Sequence, residues 1–322
     1  MDNRQRQEPH GAGVLNKGML NPRLILVGAQ RPIVQYRLIK ELGRLPKLTA
    51  YSTQSLVLGL LAEPFYWLQR LIYRAPRDMP APIFVIGAWR SGTTFLHKEL
   101  VGTLDAASAR NSFTCCPQVG LILKPVLTRA LPSLGHRFVD WVPAASSDPQ
   151  EIDIGLFRLV SELPNEKIGI GKDLGEACKT FAAWKPTREY KRAFRRMMQW
   201  AWISDRKPGQ PFINKVPAHT LKIDLLLELY PNAKFVYIQR DEATNLASLT
   251  GKIPLFVKAF GVVPYEQDAA AEATVVRATM LAQYRNARHM IPAEHLVEVT
   301  YEELVADKVA TVQKISERLG LH

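Results

Sequence analysis

Three positively charged side chains, Arg90, Lys215 and Arg240, each fall where a strand-like run gives way to a turn. Cations at strand ends suit one chemistry above others, the binding of an anionic ligand. The segment Gly87-Ala-Trp-Arg-Ser-Gly-Thr-Thr94 is the most explicit of the three. At a strand-to-helix junction, free backbone N–H groups and the positive end of the helix dipole point toward one anion. Gly92 lets the backbone approach closely, Ser91, Thr93 and Thr94 bring hydroxyls, and Arg90 brings a fixed charge. Arg240, at the carboxyl end of Phe235–Gln239, faces the crevice where open α/β sheets bind ligands. Ser248, two helical turns further on, can donate a second hydrogen bond. A Walker loop would carry Lys beside its Ser or Thr. Here the basic residue precedes the glycine instead, and the later strand runs into Arg240 rather than an Asp suited to Mg²⁺. Both departures argue against a kinase or NTPase. A ligand-free turn, a strand-end salt bridge and a surface serine would explain these features singly, but not as a set.

The elements that must hold these residues are legible from periodicity. Ala81–Gly87 is a β-branched and aromatic run ending in Gly, a buried-strand pattern, and the loop after it turns into a helix. Pro211–Lys215 reads as a short strand, followed by a helix from Ala218 to about Leu229. Asn232–Gln239 reads as a strand feeding a helix from Asp241. Residues 118–135 and 150–163 and Thr187–Arg206 are predicted helical. A long helix is predicted over Glu266–Met290, then strand Leu296–Thr300 and a helix over Lys308–Leu319. Strands alternating with helices predict an α/β fold, a P-loop-like parallel sheet flanked by helices.

The 322 residues suffice for one large domain and an appendage, with 47% hydrophobic and 22% charged residues, an ordinary globular balance. A formal net charge of +12 favours anionic partners without choosing among them. Basic residues interleaved with aromatics, as nucleic-acid binding would need, occur only in Phe194–Trp202, which reads equally well as an amphipathic helix; no nucleic-acid partner is expected. Three cysteines make neither a disulfide framework nor a zinc site and point to a reducing, cytoplasmic setting. The first twenty residues lack the apolar core of a secretory signal, and no apolar run reaches the roughly 18 residues of a membrane span. The division expected is a flexible N-terminus with a helical arm over residues 1–79 and a catalytic domain over 80–322. In the arm, Ser55–Tyr73 is apolar almost all round, and Pro64 is expected to bend or restart its helix. It is either an arm packed on the domain or a peripheral membrane contact, the latter favoured by about a dozen Lys/Arg against five acids before residue 80. The chain ends at LGLH322 directly after a predicted helix, as a fragment or a short natural form would.

With these residues in place, a resemblance becomes specific. PIFVIGAWRSGTTFLH is similar to the 5′-phosphosulfate loop of sulfotransferases that use 3′-phosphoadenosine 5′-phosphosulfate (PAPS), in the group whose loop reads G-x-x-RSGTT and which includes protein-tyrosine sulfotransferases. Arg240 with Ser248 resembles that family's 3′-phosphate motif. Asn214-Lys215-Val-Pro217-Ala-His219 resembles its [LN]-K-x-P-x-H element, 25 residues before Arg240, with Val216 where many relatives carry Ser or Asp. Asp148-Pro-Gln-Glu151-Ile-Asp153 and Thr300-Tyr-Glu-Glu-Leu resemble two further segments, so the likeness covers about residues 80–321.

The resemblance implies sulfuryl transfer from PAPS to an acceptor hydroxyl, an EC 2.8.2 activity. Arg90 and the loop amides are expected to neutralise the departing 5′-phosphate and Lys215 to bridge the sulfuryl and leaving oxygens. No metal is expected, because these cations supply the charge that Mg²⁺ supplies in kinases. For the acceptor's proton, His219 is the first candidate base, placed in the first turn of a helix whose dipole would keep the imidazole neutral. Glu151 is the second. Protein-tyrosine sulfotransferases use a Glu shortly after the loop, and Arg110–Gln118 contains no acid. His97, inside the loop helix, is expected to pack against the sheet. Trp89, Phe113, Trp184, Trp200 and Trp202 are expected to line an apolar pocket, which favours a small hydrophobic alcohol or lipid as acceptor. A degenerate nucleotide-binding or basic scaffold protein, one that binds nucleic acid or membrane, is the remaining alternative.

Overall fold

The computed structural model describes residues 30–42, 49–130, 133–136, 143–160, 162, 173–255 and 266–321. Residues 1–29, most of the N-terminal stretch read as flexible, lie outside them. The helices are α1 (Pro32–Leu42), α2 (Thr49–Ile72), α3 (Thr93–Thr103), α4 (Asn111–Thr114), α5 (Lys124–Ala130), α6 (Ile152–Leu159), α7 (Leu174–Ala183), α8 (Arg188–Asp205), α9 (Ile223–Leu229), α10 (Glu242–Thr250), α11 (Ala269–Ala287), α12 (Tyr301–Ala306) and α13 (Lys308–Leu319). The strands are β1 (Ile83–Ile86), β2 (Ser133–His136), β3 (Pro143–Ala145), β4 (Ile213–Lys215), β5 (Lys234–Gln239) and β6 (Leu296–Thr300).

Four strands form a parallel sheet in the order β4-β1-β5-β6, with Phe84 opposite Asn214 on one side and Phe235 on the other. Alternate residues of a strand face opposite sides, so each strand feeds two cores. Phe84, Ile86, Phe235 and Tyr237 pack with Phe194 and Met197 of α8 and Val276 and Met280 of α11. Ile83, Val85, Val236 and Ile238 pack with Leu96 and Leu100 of α3 and Val312 and Ile315 of α13. Helices on both faces are what a sheet of near-continuous apolar strands requires. β2 and β3 form a separate antiparallel pair.

Several elements depart from the sequence reading. Residues 118–123 are turns and α5 covers only Lys124–Ala130, with strand β2 beyond it. Pro117 and Gly120 interrupt the helical period there. The helix expected from Ala218 begins as a 3₁₀ segment, Pro217–Lys222, before α9. α2 runs through Pro64 without restarting; the carbonyl that proline leaves unpaired belongs to Leu60, which is exposed and can bond to water. α12 was not anticipated. It starts at a capping box in which Thr300 Oγ1 accepts from the Glu303 N–H and the Glu303 carboxylate accepts from the Thr300 N–H.

Candidate active site

β1, β4 and β5 run parallel, so Gly87 and Arg240, which follow β1 and β5, and Lys215, which ends β4, emerge along one edge of the sheet. The loop after β1 is shaped by its backbone. Gly92 has φ +98° and Arg90 φ +68°, the left-handed region that costs a side chain energy unless the surroundings hold it there. A Cβ on Gly92 would lie 2.3 Å from Tyr301 Cδ2. Thr220 Oγ1 clamps the loop's first residue, accepting from the Gly87 N–H at 2.9 Å and donating to its carbonyl at 3.1 Å. Asn245 Nδ2 donates to the Trp89 carbonyl at 3.1 Å.

The residues predicted to hold phosphates meet here. Arg90 Nε donates to Ser248 Oγ at 3.1 Å, and Arg240 Nη1 donates to the Arg90 carbonyl at 3.3 Å. The Arg240 guanidinium lies 4.3 Å from the centroid of the Tyr301 ring, a cation–π contact that fixes it over an apolar face. Thr93 and Thr94 open α3, and Lys215 Nζ donates to Thr94 Oγ1 at 3.1 Å. The Lys215 side chain is only 3% exposed and its ammonium also meets Glu151 Oε1 at 2.5 Å. Ser91 Oγ, Arg240 Nε and Asn245 Oδ1 are buried with no hydrogen-bond partner among the described residues. Polar groups in that state are costly unless a ligand completes them, and Ser91 Oγ and Arg240 Nε are donors of the kind an anionic ligand engages.

Glu151 reaches Lys215 because its segment is strapped to the chain after α3. Gln150 N–H donates to the Ala109 carbonyl at 2.7 Å, Arg110 bridges Pro149, and Lys98 pairs with Asp148 at 3.1 Å. Glu151 then takes the N-cap position of α6, where its side chain makes no capping bond and is 33% exposed. His219 is placed differently from expectation. It lies in the 3₁₀ segment rather than an open first helical turn, is 2% exposed, and sits 3.1 Å from Asp153 Oδ1 and 5.5 Å ring to ring from Phe194. Pro217 and the buried run through Lys222 draw it into the core. His97 packs under the sheet with Nε2 3.0 Å from Ser108 Oγ, and burial pushes its pKa down to about 3, with Lys215 adding to the shift.

Among the described residues the five aromatic residues expected to line one apolar pocket are not gathered around a single cavity. Trp200 and Trp202 are core residues, and Trp184 packs edge-on against Tyr190. Only Phe113 of the five lines the cavity of about 320 Å³ bounded also by Arg110, Lys124, Leu127 and Ser146. Sequence reasoning missed Thr220 and Asn245 as site neighbours; Asp153 and Tyr301 lay inside segments already singled out, without a role. No group of three His, Cys, Asp or Glu that could hold a metal occurs among the described residues.

A parallel sheet whose strand ends carry an RSGTT loop, a buried lysine and an Arg–Ser pair defines a sulfotransferase-type nucleotide site. Residues 82–322 match the model of the sulfotransferase family, and the chain belongs to that family. It is 26% identical over 256 residues to omega-hydroxy-beta-dihydromenaquinone-9 sulfotransferase Stf3 of Mycobacterium bovis and of Mycobacterium tuberculosis, a match covering 74% of this chain. The match takes in 63% of those relatives' length. Its fold is similar to that of sulfotransferase STF1 from Mycobacterium tuberculosis H37Rv (TM-score 0.63, 18% identity, 94% of this chain and 81% of that one). It is also similar to that of STF9 from Mycobacterium avium (TM-score 0.59, 15% identity, 84% and 73%).

Proposed function

We propose that the chain transfers a sulfuryl group from PAPS to the hydroxyl of a hydrophobic alcohol or lipid, working in the cytoplasm with residues 80–322 as its catalytic domain. The observation that carries this reading is the meeting of Arg90, Ser248 and Arg240 on one loop whose other end is met by Lys215. Two anionic ends of one nucleotide need two such cationic stations, and PAPS supplies the activated sulfuryl group between them. Arg90, Ser91, Gly92, Thr93 and Thr94 would hold the 5′ end, Arg240 and Ser248 the 3′-phosphate.

The reaction breaks the bond between sulfur and the 5′-phosphate oxygen and forms one between sulfur and the acceptor oxygen, whose proton must pass to a base. Lys215, held between Thr94 and Glu151, would place its charge where negative charge grows on the leaving oxygen. Glu151 is better placed than His219 to take the proton, because it borders Lys215 and retains exposure while His219 is enclosed. Asp153 and His219 then act as positioning residues under α6. The preference for a lipid alcohol is supported by the menaquinone-derived substrate in the name of the Stf3 relatives.

The test is transfer of radiolabel from ³⁵S-PAPS to long-chain alcohols and quinols, beside soluble glycans. Label is expected in the organic phase, with Lys215→Ala and Glu151→Gln each lowering kcat roughly 100-fold or more. His219→Asn is expected to retain most of the rate. Label appearing only on glycans would overturn the acceptor class, and an unaffected Glu151→Gln would overturn the base.

A further inference from the structure

Helix α2 is amphipathic in the wrong sense for a helix of a soluble domain. Between Ser55 and Gln69 the buried positions are Ser55, Gly59, Ala62, Tyr66 and Gln69, small or polar in the main. Every exposed position in that stretch is apolar, including Leu60, Leu61, Trp67 and Leu68, and Leu71 and Ile72 continue the face. On the inward side Tyr66 packs edge-on against Trp200, ring centroids 5.7 Å apart, and the rest is held by polar and close-backbone contact. Gln69 Nε2 donates to the Pro117 carbonyl at 2.7 Å and Gln69 Oε1 accepts from the Leu121 N–H at 2.9 Å. Gly59 lets the helix lie against the Gln30 backbone, where a Cβ would come within 2.1 Å of that carbonyl oxygen. The arm is thus fixed by Tyr66 in the core and by polar and close-backbone contacts, while a continuous apolar face, on a helix about 36 Å long, looks away from the domain. A face of that extent marks an interaction surface.

The charges around it say what kind. Glu63 is the only acid from Leu45 to Arg77, and it is tied to Arg31 at 2.6 Å. Arg70, Arg74 and Arg77 follow at the carboxyl end of α2. Trp67 stands at the border of the apolar face, with the Arg70 and Arg31 guanidinium groups 5.0 and 5.6 Å from its ring. Apolar face, boundary indole and flanking arginines are the arrangement that partitions into the interface of an anionic bilayer. No helix among the described residues is long and apolar enough to cross a membrane, which leaves the in-plane orientation.

We propose that α2 is a docking helix that lies in the plane of an anionic lipid surface, its Leu60, Leu61, Leu68 and Ile72 side chains among the acyl chains and its arginines at the headgroups. This surface would deliver the catalytic domain to a lipid-borne acceptor, but its binding needs no turnover and stands or falls apart from the sulfuryl-transfer reading. The test is co-sedimentation of the full chain with vesicles of phosphatidylcholine mixed with phosphatidylglycerol, and with phosphatidylcholine alone. The mixed vesicles are expected to bind at least about tenfold more tightly. Leu60→Glu with Leu68→Glu, both on the exposed face, should abolish binding while the melting temperature by circular dichroism stays near wild type. Arg74→Glu with Arg77→Glu should remove the preference for anionic vesicles. Wild-type chain that stays in the supernatant with both vesicle types would overturn the proposal. So would a stable dimer by light scattering that Leu60→Glu converts to monomer, since the face would then be covered by a second copy.

Discussion

Lys215, at the end of β4, donates to Thr94 and Glu151, and its charge bears on a buried neighbour. His97 is held neutral, its pKa lowered to about 3 by burial and further by the nearby Lys215. In the unfolded chain the same imidazole takes a proton at its ordinary value of 6.5. Between pH 6.5 and about 3 the unfolded chain therefore binds one more proton at this residue. The stabilisation is complete above 6.5 and is lost as pH falls toward 3, with a limiting slope of about 1.4 kcal/mol per pH unit. His97→Gln keeps a partner for Ser108 and removes the titration. Urea denaturation between pH 4 and 7 should give a shallower loss of stability for the variant than for wild type, and equal slopes would contradict this assignment. His97 was readable from sequence as a packing residue because it falls on the inner side of the helix that the loop starts. The pairing of His219 with Asp153 was not, since 66 residues separate the two and nothing local marks their meeting.

At the scale of elements, the local units were the legible ones. The strand–loop–helix around RSGTT and the helix Lys308–Leu319 follow from period and capping signals within a dozen residues, and the sheet order reflects chain segments that were individually plain. The stretch after α3 was not legible in this way. Its path is set by bonds to distant backbone, such as Ala107 N–H to the Pro211 carbonyl and Asn111 N–H to the Asp148 carbonyl, rather than by its own pattern. The aromatic residues of α8 misled for a related reason: the sequence shows that Trp200 and Trp202 must be sheltered, but not whether core or ligand shelters them. The capping box at Thr300–Glu303 was present in the residues and would have revealed α12. That helix matters to the site because its Tyr301 packs against Gly92 on one side and carries Arg240 on the other. Gly92→Ala would drive a methyl into the ring and strain a left-handed backbone, disturbing both proposed phosphate stations at once. Its expected effect is a loss of about 1–3 kcal/mol of stability and at least a tenfold weaker affinity for 3′-phosphoadenosine 5′-phosphate (PAP), read by thermal melting and calorimetry. An alanine variant that binds PAP as wild type does would show that the close approach is incidental.

At the scale of the molecule, a parallel sheet collects cations from residues 90, 215 and 240 onto one edge, in a chain with a net charge of +12. The arm lies outside that machinery, with its apolar face turned outward. A nucleotide bearing phosphates at both 3′ and 5′ ends is the ligand we propose for this distribution. On that proposal Arg240 separates it from other adenine nucleotides, because it would take the 3′-phosphate that 5′-AMP lacks. The most direct measurement is therefore calorimetric binding of PAP, 5′-AMP and Mg-ATP to wild type and Arg240→Ala. Wild type is expected to prefer PAP, and the variant to bind PAP no better than 5′-AMP. Equal or tighter binding of Mg-ATP by wild type, or a PAP affinity that Arg240→Ala leaves unchanged, would contradict the assignment of this site to PAPS.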